Sequence, residues 1–231
     1  MTGTAEPRRL LLAPSILTAD FARLGEQIRA VEPYIDWLHL DVMDGHYVPN
    51  ITFGPDVVAA INDACELPLH VHLMINDPAD YAPQFVRAGA DRISFHPEVT
   101  DDPGRVIGVI RDAGAGAGIA VHPDRGLEPV EKWVEELEVV LMMTVRPGFG
   151  GQEFLAEVVP KISDATALVT EANANAAIEV DGGVKLGNVE RVVEAGGRII
   201  VAGSAIFDGR DPVAAARGMR AKLDELAATV V

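Results

Sequence analysis

The sequence predicts a single-domain α/β protein, a (β/α)8 TIM barrel. Three observations carry that expectation. Short apolar runs alternate with helix-like segments eight times; no linker or shift of composition interrupts them; and 231 residues at 48% hydrophobic are enough to bury one large core. Strand–helix alternation implies a parallel sheet with right-handed crossovers. An open doubly wound sheet is the alternative, but eight units in this length fit a closed barrel better. The domain is expected to span residues 1–231, with residues 1–8 a flexible N-terminal extension.

Leu10–Ser15 reads as the first strand, and Asp20 caps a helix through Phe21, Leu24 and Ile28. Trp37–Met43 is the second strand, after which Asp44-Gly45 turns the chain and Pro49-Asn50 prolongs the loop. Helix Pro55–Ala64, strand Leu69–Met74 and a helix opened by Asp77-Pro78 follow. Arg92–His96 is the fourth strand and Val106–Ala113 the fourth helix, stopped at Gly114; Gly116 and Gly118 read as loop leading into strand Gly118–Val121. The second half continues with a short helix Pro129–Leu137, strand Val139–Val145 and a helix around Val158–Leu168. Strand Ala177–Val180, helix Asn188–Ala195, strand Ile199–Ala202 and helix Pro212–Ala228 complete the series.

A formal charge of −16 argues against nucleic acid or an anionic membrane surface as partner, since both require clustered Lys and Arg. No stretch approaches the ~20 apolar residues of a bilayer span. Arg8-Arg9 before Leu10-Leu11-Leu12 imitates a signal sequence, but Pro14-Ser15 and Asp20 interrupt the apolar run, so a buried first strand is the better reading. The single cysteine, Cys65, excludes an internal disulfide and suits a reducing compartment, hence a cytoplasmic protein. It reads as small apolar filling near a helix end.

Strand alternation places His39, Asp41 and Met43 on one face of the second strand, and His70, His72 and Met74 on one face of the third. The seventh strand offers Glu179 and Asp181. In a barrel all strand carboxyl ends share one mouth, so His39, Asp41, His72 and Asp181 can converge. Two imidazoles and two carboxylates suit one divalent ion such as Zn, Fe, Mn or Co, whereas a calcium site would be all oxygen. A lone His-x-Asp or Asp-Gly-Gly would ordinarily be a solvated strand end or a turn; four compatible ligands at strand ends outweigh that.

Glycines collect at the same mouth. Gly148, Phe149, Gly150 and Gly151 follow the sixth strand, Gly182-Gly183 the seventh and Gly203-Ser204 the eighth. Residues without a Cβ let backbone N–H groups approach an anion, and a phosphate held after strands seven and eight recurs in barrels. Met43, Met74 and Met143 also lie at strand ends. They are either core or an apolar cap that excludes water from the site.

These segments, in this order, resemble the ribulose-phosphate 3-epimerase family over nearly the whole chain. The resemblance is carried by Pro14-Ser15-Ile16-Leu17-Thr18-Ala19-Asp20-Phe21, His39–Pro55, Val71-His72-Leu73-Met74, Met143–Gln152, Val180-Asp181-Gly182-Gly183 and Val201–Phe207. It implies an isomerase that interconverts D-ribulose 5-phosphate and D-xylulose 5-phosphate, with one divalent metal ion per chain, usually zinc, on His39, Asp41, His72 and Asp181. Asp41 would be the proton acceptor and Asp181 the donor, acting through a metal-stabilised enediolate. Ser15 would contact substrate or its water, with His72 beside it, and the phosphate would lie against Gly148–Gly151, Gly182-Gly183 and Gly203-Ser204. The family commonly forms homo-oligomers.

Three places depart from the family pattern. His70 stands where an acidic residue is common, His122-Pro123-Asp124-Arg125 replaces Asn-Pro followed by a small residue and Thr, and Thr18 replaces Ser. None removes a proposed ligand, but the second borders the mouth and leaves the sugar open. Allulose 6-phosphate epimerisation is one alternative. A phosphosugar decarboxylase or ring-closing enzyme would call for a lysine at these strand ends, and a non-catalytic binding barrel would be expected to lose one of the aspartates.

Overall fold

A computed structural model describes residues 9–207 and 210–229; the expected N-terminal extension over residues 1–8 lies outside them. The elements run β1 (Leu11–Leu12), α1 (Leu24–Val31), β2 (Leu38–Met43), α2 (Pro55–Asn62), β3 (Leu69–Met74), α3 (Pro78–Arg87), β4 (Arg92–Phe95) and α4 (Pro103–Asp112). They continue β5 (Gly116–Val121), α5 (Glu128–Trp133), β6 (Val139–Met143), α6 (Val159–Glu171), β7 (Ala177–Asp181), α7 (Val189–Glu194), β8 (Ile199–Val201) and α8 (Pro212–Ala227). All ladders are parallel, in the order β1-β8-β7-β6-β5-β4-β3-β2. The two ends of that sheet meet. Ser15 bridges His39, His39 N–H donates to Pro14 O at 3.0 Å, and Trp37 N–H donates to Leu12 O at 3.3 Å. The sheet is therefore a single-domain barrel, as the alternation predicts.

Local chemistry explains the boundaries. Asp20 accepts a hydrogen bond from Ala22 N–H at 3.0 Å and opens a 3-10 turn, Phe21–Arg23, that feeds α1. Asp102 and Asp211 do the same for α4 and α8, accepting from Arg105 and Ala214, and each is followed by a proline at the first helical position. β1 is far shorter than the expected Leu10–Ser15, because Pro14 carries no N–H to donate.

Gly116 corrects the sequence reading and Gly118 bears out the strand expected from it: both lie inside β5, paired with Arg92 and Ser94 of β4. Small size is a packing requirement at Gly118, whereas the exposed Glu138 side chain can move away from Gly116. A Cβ at Gly118 would overlap the Ser94 hydroxyl, and one at Gly116 the Glu138 carboxylate. Such alternation-poor glycine runs read as loop because nothing in them is apolar enough to mark a buried strand.

Two shells of core follow from the two faces of each strand. Leu38, Leu40 and Val42 of β2, Leu69, Val71 and Leu73 of β3, and Ile178 and Val180 of β7 pack outward against the helices. Inside, Ala13, Ala120, Val139, Leu141, Met143, Ile199 and Val201 fill one half of the barrel with hydrocarbon. The other half, lined by β2, β3, β4 and β7, is polar and buried: His39, Asp41, His70, His72, Ser94 and Glu179 all point inward. No helix among the described residues is long and apolar enough to cross a membrane.

Candidate active site

Ladder register brings the charged side chains together. Asp41 of β2 pairs with His72 of β3, and His39 with His70. Asp181 arrives from β7, at the carboxyl end of its strand. One ligand atom from each of His39, Asp41, His72 and Asp181 lies within 4.8 Å of all the others, so this buried group can bind a metal ion. His39 Nε2 is 3.3 Å from Asp41 Oδ1 and 3.9 Å from Asp181 Oδ2, yet it is buried with no hydrogen-bond partner. An orphaned imidazole nitrogen facing two carboxylates fits a cation, and a His2Asp2 donor set suits the borderline divalent metals.

The two aspartates are held in opposite protonation states. Burial disfavours ionisation of Asp41, but the close His39 ring and the hydrogen-bonded His72 outweigh it and hold its pKa far below the usual carboxylate range. Ser15 adds a 2.5 Å hydrogen bond from its hydroxyl to Asp41 Oδ2. For Asp181, burial and the neighbouring Asp41 charge act together and raise the pKa to about 7. Asp41 acts on both rings in turn. Burial resists a charge on His39, but Asp41 and Glu179 overcome it and raise its pKa well above the ordinary value. His72, also desolvated, falls to about 4 despite its 3.0 Å contact with Asp41 Oδ1, so it is neutral at physiological pH.

One cavity at the mouth is lined by Ser15, Asp41 and Asp181, by Met43, Met74 and Met143, and by Gly148, Phe149, Gly150, Gly151, Gly182, Gly183, Gly203 and Ser204. His39 and His72 lie beneath it, fully buried. The Gly182-Gly183 pair is required by geometry: φ is +122° and +65°, and a Cβ would come within 2.7 Å of Val145 N and 2.6 Å of Phe154 N. Asn50 ties the loop after β2 to this rim through a 2.9 Å hydrogen bond to Gly148 O. Met43 and Met74 form a small apolar cluster with Val48, whereas Met143 belongs to the hydrocarbon half of the interior.

Several residues here escaped the sequence reading. His96 Nε2 is 2.9 Å from His72 Nε2, its ring lies 4.7 Å from that of Tyr47, and Tyr47 donates to Glu98 at 2.8 Å. Burial opposes ionisation of Glu98, but His96 and Tyr47 outweigh it and bring its pKa to about 2. The alternation Arg92-x-Ser94-x-His96 carried the signal for His96. Thr18 lines the mouth with a buried hydroxyl that has no partner. The divergent segment His122–Arg125 does not line this cavity; Asp124 pairs with Arg146, which does, at 3.2 Å, and Lys161 holds the Pro123 and Arg125 carbonyls.

A parallel barrel that gathers a metal-capable His/Asp group and glycine amides at the carboxyl ends of its strands has the build of a barrel enzyme. Residues 11–207 match the model of the ribulose-phosphate 3 epimerase family. The chain is 46% identical over 215 residues to the chloroplastic ribulose-5-phosphate-3-epimerase of Arabidopsis thaliana, covering 92% of this chain and 76% of that one. It is 46% identical over 202 residues to the ribulose-phosphate 3-epimerase of Bacillus subtilis strain 168, covering 87% and 93%. Among solved structures, KGPDC from Streptococcus mutans superposes with a TM-score of 0.73 at 12% identity, covering 94% and 99%, a likeness of fold alone. The chain belongs to the ribulose-phosphate 3-epimerase family and is an isomerase.

Proposed function

We propose that the chain interconverts D-ribulose 5-phosphate and D-xylulose 5-phosphate by inverting C3, with Asp41 and Asp181 as the acid–base pair. The observation that carries this reading is geometric: Asp41 from β2 and Asp181 from β7 both line one cavity, and their surroundings push their acidities apart, Asp41 far below the usual carboxylate range and Asp181 up to about 7. Inversion requires a proton to leave one face of a carbon beside a carbonyl and another to arrive on the opposite face. One base alone would tend to return the proton where it was. Asp41, stripped of its proton by His39, His72 and Ser15, accepts the C3 hydrogen; Asp181, kept neutral by desolvation, supplies the replacement. In the reverse direction the two exchange roles.

His39, Asp41, His72 and Asp181 would hold one divalent ion, for which zinc suits the donor set, with iron, manganese or cobalt as substitutes. Such an ion supplies positive charge to stabilise the enediolate that develops when C3 is deprotonated. His39 and His72 orient the carboxylates from below, and Met43, Met74 and Met143 exclude water from the reacting carbon. The phosphate rests on the amides around Gly148–Gly151, Gly182-Gly183 and Gly203-Ser204, with the Thr18 hydroxyl as a further donor. Ser15 lies beside the substrate while fixing Asp41.

The test combines metal analysis of the purified protein with assays on ribulose 5-phosphate and allulose 6-phosphate, before and after chelation. Conversion of the pentose in preference to the hexose, lost on chelation and restored by zinc, is expected. Equal or better turnover of the hexose, or full activity without metal, would overturn the assignment.

A further inference from the structure

Beneath the mouth lies a polar group that the proposed chemistry leaves unused. Glu179 precedes Asp181 by two residues on β7 and shares its inward face, yet it lines no part of the mouth cavity and is fully buried. A carboxylate so placed is tolerated only if both oxygens are paired. Oε1 is hydrogen-bonded to His39 Nδ1 at 2.8 Å, and Oε2 lies 2.6 Å from His70 Nδ1, an ion-pair distance at an angle outside that of a hydrogen bond. We infer that Glu179 is a positioning residue that holds the His39 proton on Nδ1 and turns the Nε2 lone pair toward Asp41 and Asp181, and that His70 and Ser94 hold Glu179 in place.

The reasoning is a matter of donors and acceptors. An ionised carboxylate only accepts, so the ring nitrogen that faces it must carry hydrogen. His39 Nδ1 faces Glu179, which leaves Nε2, the orphaned atom of the metal-capable group, free to ligate. A ring fixed the other way round would present N–H to the metal site. Carboxylate–histidine pairs of this kind orient metal-binding imidazoles in general.

His70 gives this chain its own way of holding the carboxylate. Its Nε2 meets Ser94 Oγ at 2.8 Å, Trp37 packs edge-on against its ring at 6.3 Å, and Arg92 sits 4.1 Å over Trp37. Gly118 leaves the room that Ser94 occupies. The row Ser94–His70–Glu179–His39 thus runs from β4 through β3 and β7 to β2 and ends at the site.

This inference rests on His39 being a metal ligand, and the experiment separates the two ideas. Imidazole 15N–1H spectra are recorded on metal-free and zinc-loaded protein for the native chain, Glu179→Gln and Ser94→Ala, with zinc affinity measured by chelator competition. The native protein should show a downfield, slowly exchanging His39 Nδ1–H in both states. Glu179→Gln should lose that signal and weaken zinc binding by about 10- to 100-fold. Ser94→Ala, which removes one oxygen and leaves Glu179 in place, should give a smaller loss in the same direction, and it decides the matter if Glu179→Gln does not fold. A native His39 with no proton on Nδ1, a zinc-loaded His39 with its proton on Nε2, or unchanged zinc affinity in both variants would overturn the inference. So would two zinc ions per chain falling to one in Glu179→Gln, because His39, His70 and Glu179 would then be ligands of a second ion. A native protein that binds no zinc would remove the metal reading, while the metal-free spectrum would still decide the role of Glu179.

Discussion

Asp41 and Asp181 are the same side chain in two environments, and the difference between them is the chemistry. Histidines and a serine hydroxyl surround Asp41, whereas Asp181 meets burial and another negative charge. Replacing either by asparagine is expected to lower turnover by at least ~10²-fold, measured as kcat for ribulose 5-phosphate. The Asp181 environment also has a consequence for stability. Its pKa is raised on folding, so in metal-free protein its neutral form is favoured; the contribution is fully present below the unfolded value of roughly 4 and is lost as pH rises through about 7. Metal-free Asp181→Asn should therefore be more resistant to urea than the metal-free native chain at pH 8, and no more so at pH 4. Zinc binding near pH 6 should release protons, in part from the His39 imidazolium, detectable by calorimetry in buffers of different ionisation enthalpy. At this scale the sequence was most informative where alternation alone decides the face, as for His39, Asp41, His72 and Asp181. His96 was legible only in the alternation of its strand, and Glu98 and Tyr47 not at all, because their meaning depends on which segment lies beside which.

Among the elements, the loops after β6 and β7 are the most constrained. Gly183 adopts a left-handed backbone and faces Phe154 N at close range. Gly183→Ala should cost about 1–2 kcal/mol from its backbone conformation alone, read from the denaturation midpoint, and should raise KM for the phosphosugar more than it lowers kcat. Strand positions were readable from the runs of Val, Ile and Leu, and β3 spans the residues expected of it. β5 was legible only in part. Gly118 admits Ser94, and a requirement set by a neighbouring side chain leaves no periodic trace in the strand itself. β1 was overestimated for the complementary reason: Leu10–Ser15 looks like a strand, but Pro14 breaks its ladder, and Ser15 serves the site and the closing bridge instead.

For the whole molecule, barrel closure converts distant sequence into one site, and it places a polar half of the interior against a hydrocarbon half. The class of fold was legible from eight repeats, and so were the members of the polar half on β2, β3 and β7; Ser94 of β4 was not, because its role depends on His70 beside it. The chain carries −16 and its proposed substrate is a phosphate dianion, so the long-range field opposes encounter. Added inert salt should screen that repulsion, and kcat/KM should rise between about 0.01 and 0.15 M ionic strength rather than fall. The central claim, that two carboxylates work on opposite faces of C3, is tested most directly by turning over ribulose 5-phosphate in deuterium oxide and locating the label in the product by NMR. Xylulose 5-phosphate carrying deuterium at C3 is the predicted result. Xylulose 5-phosphate that keeps the original hydrogen at C3 would contradict it.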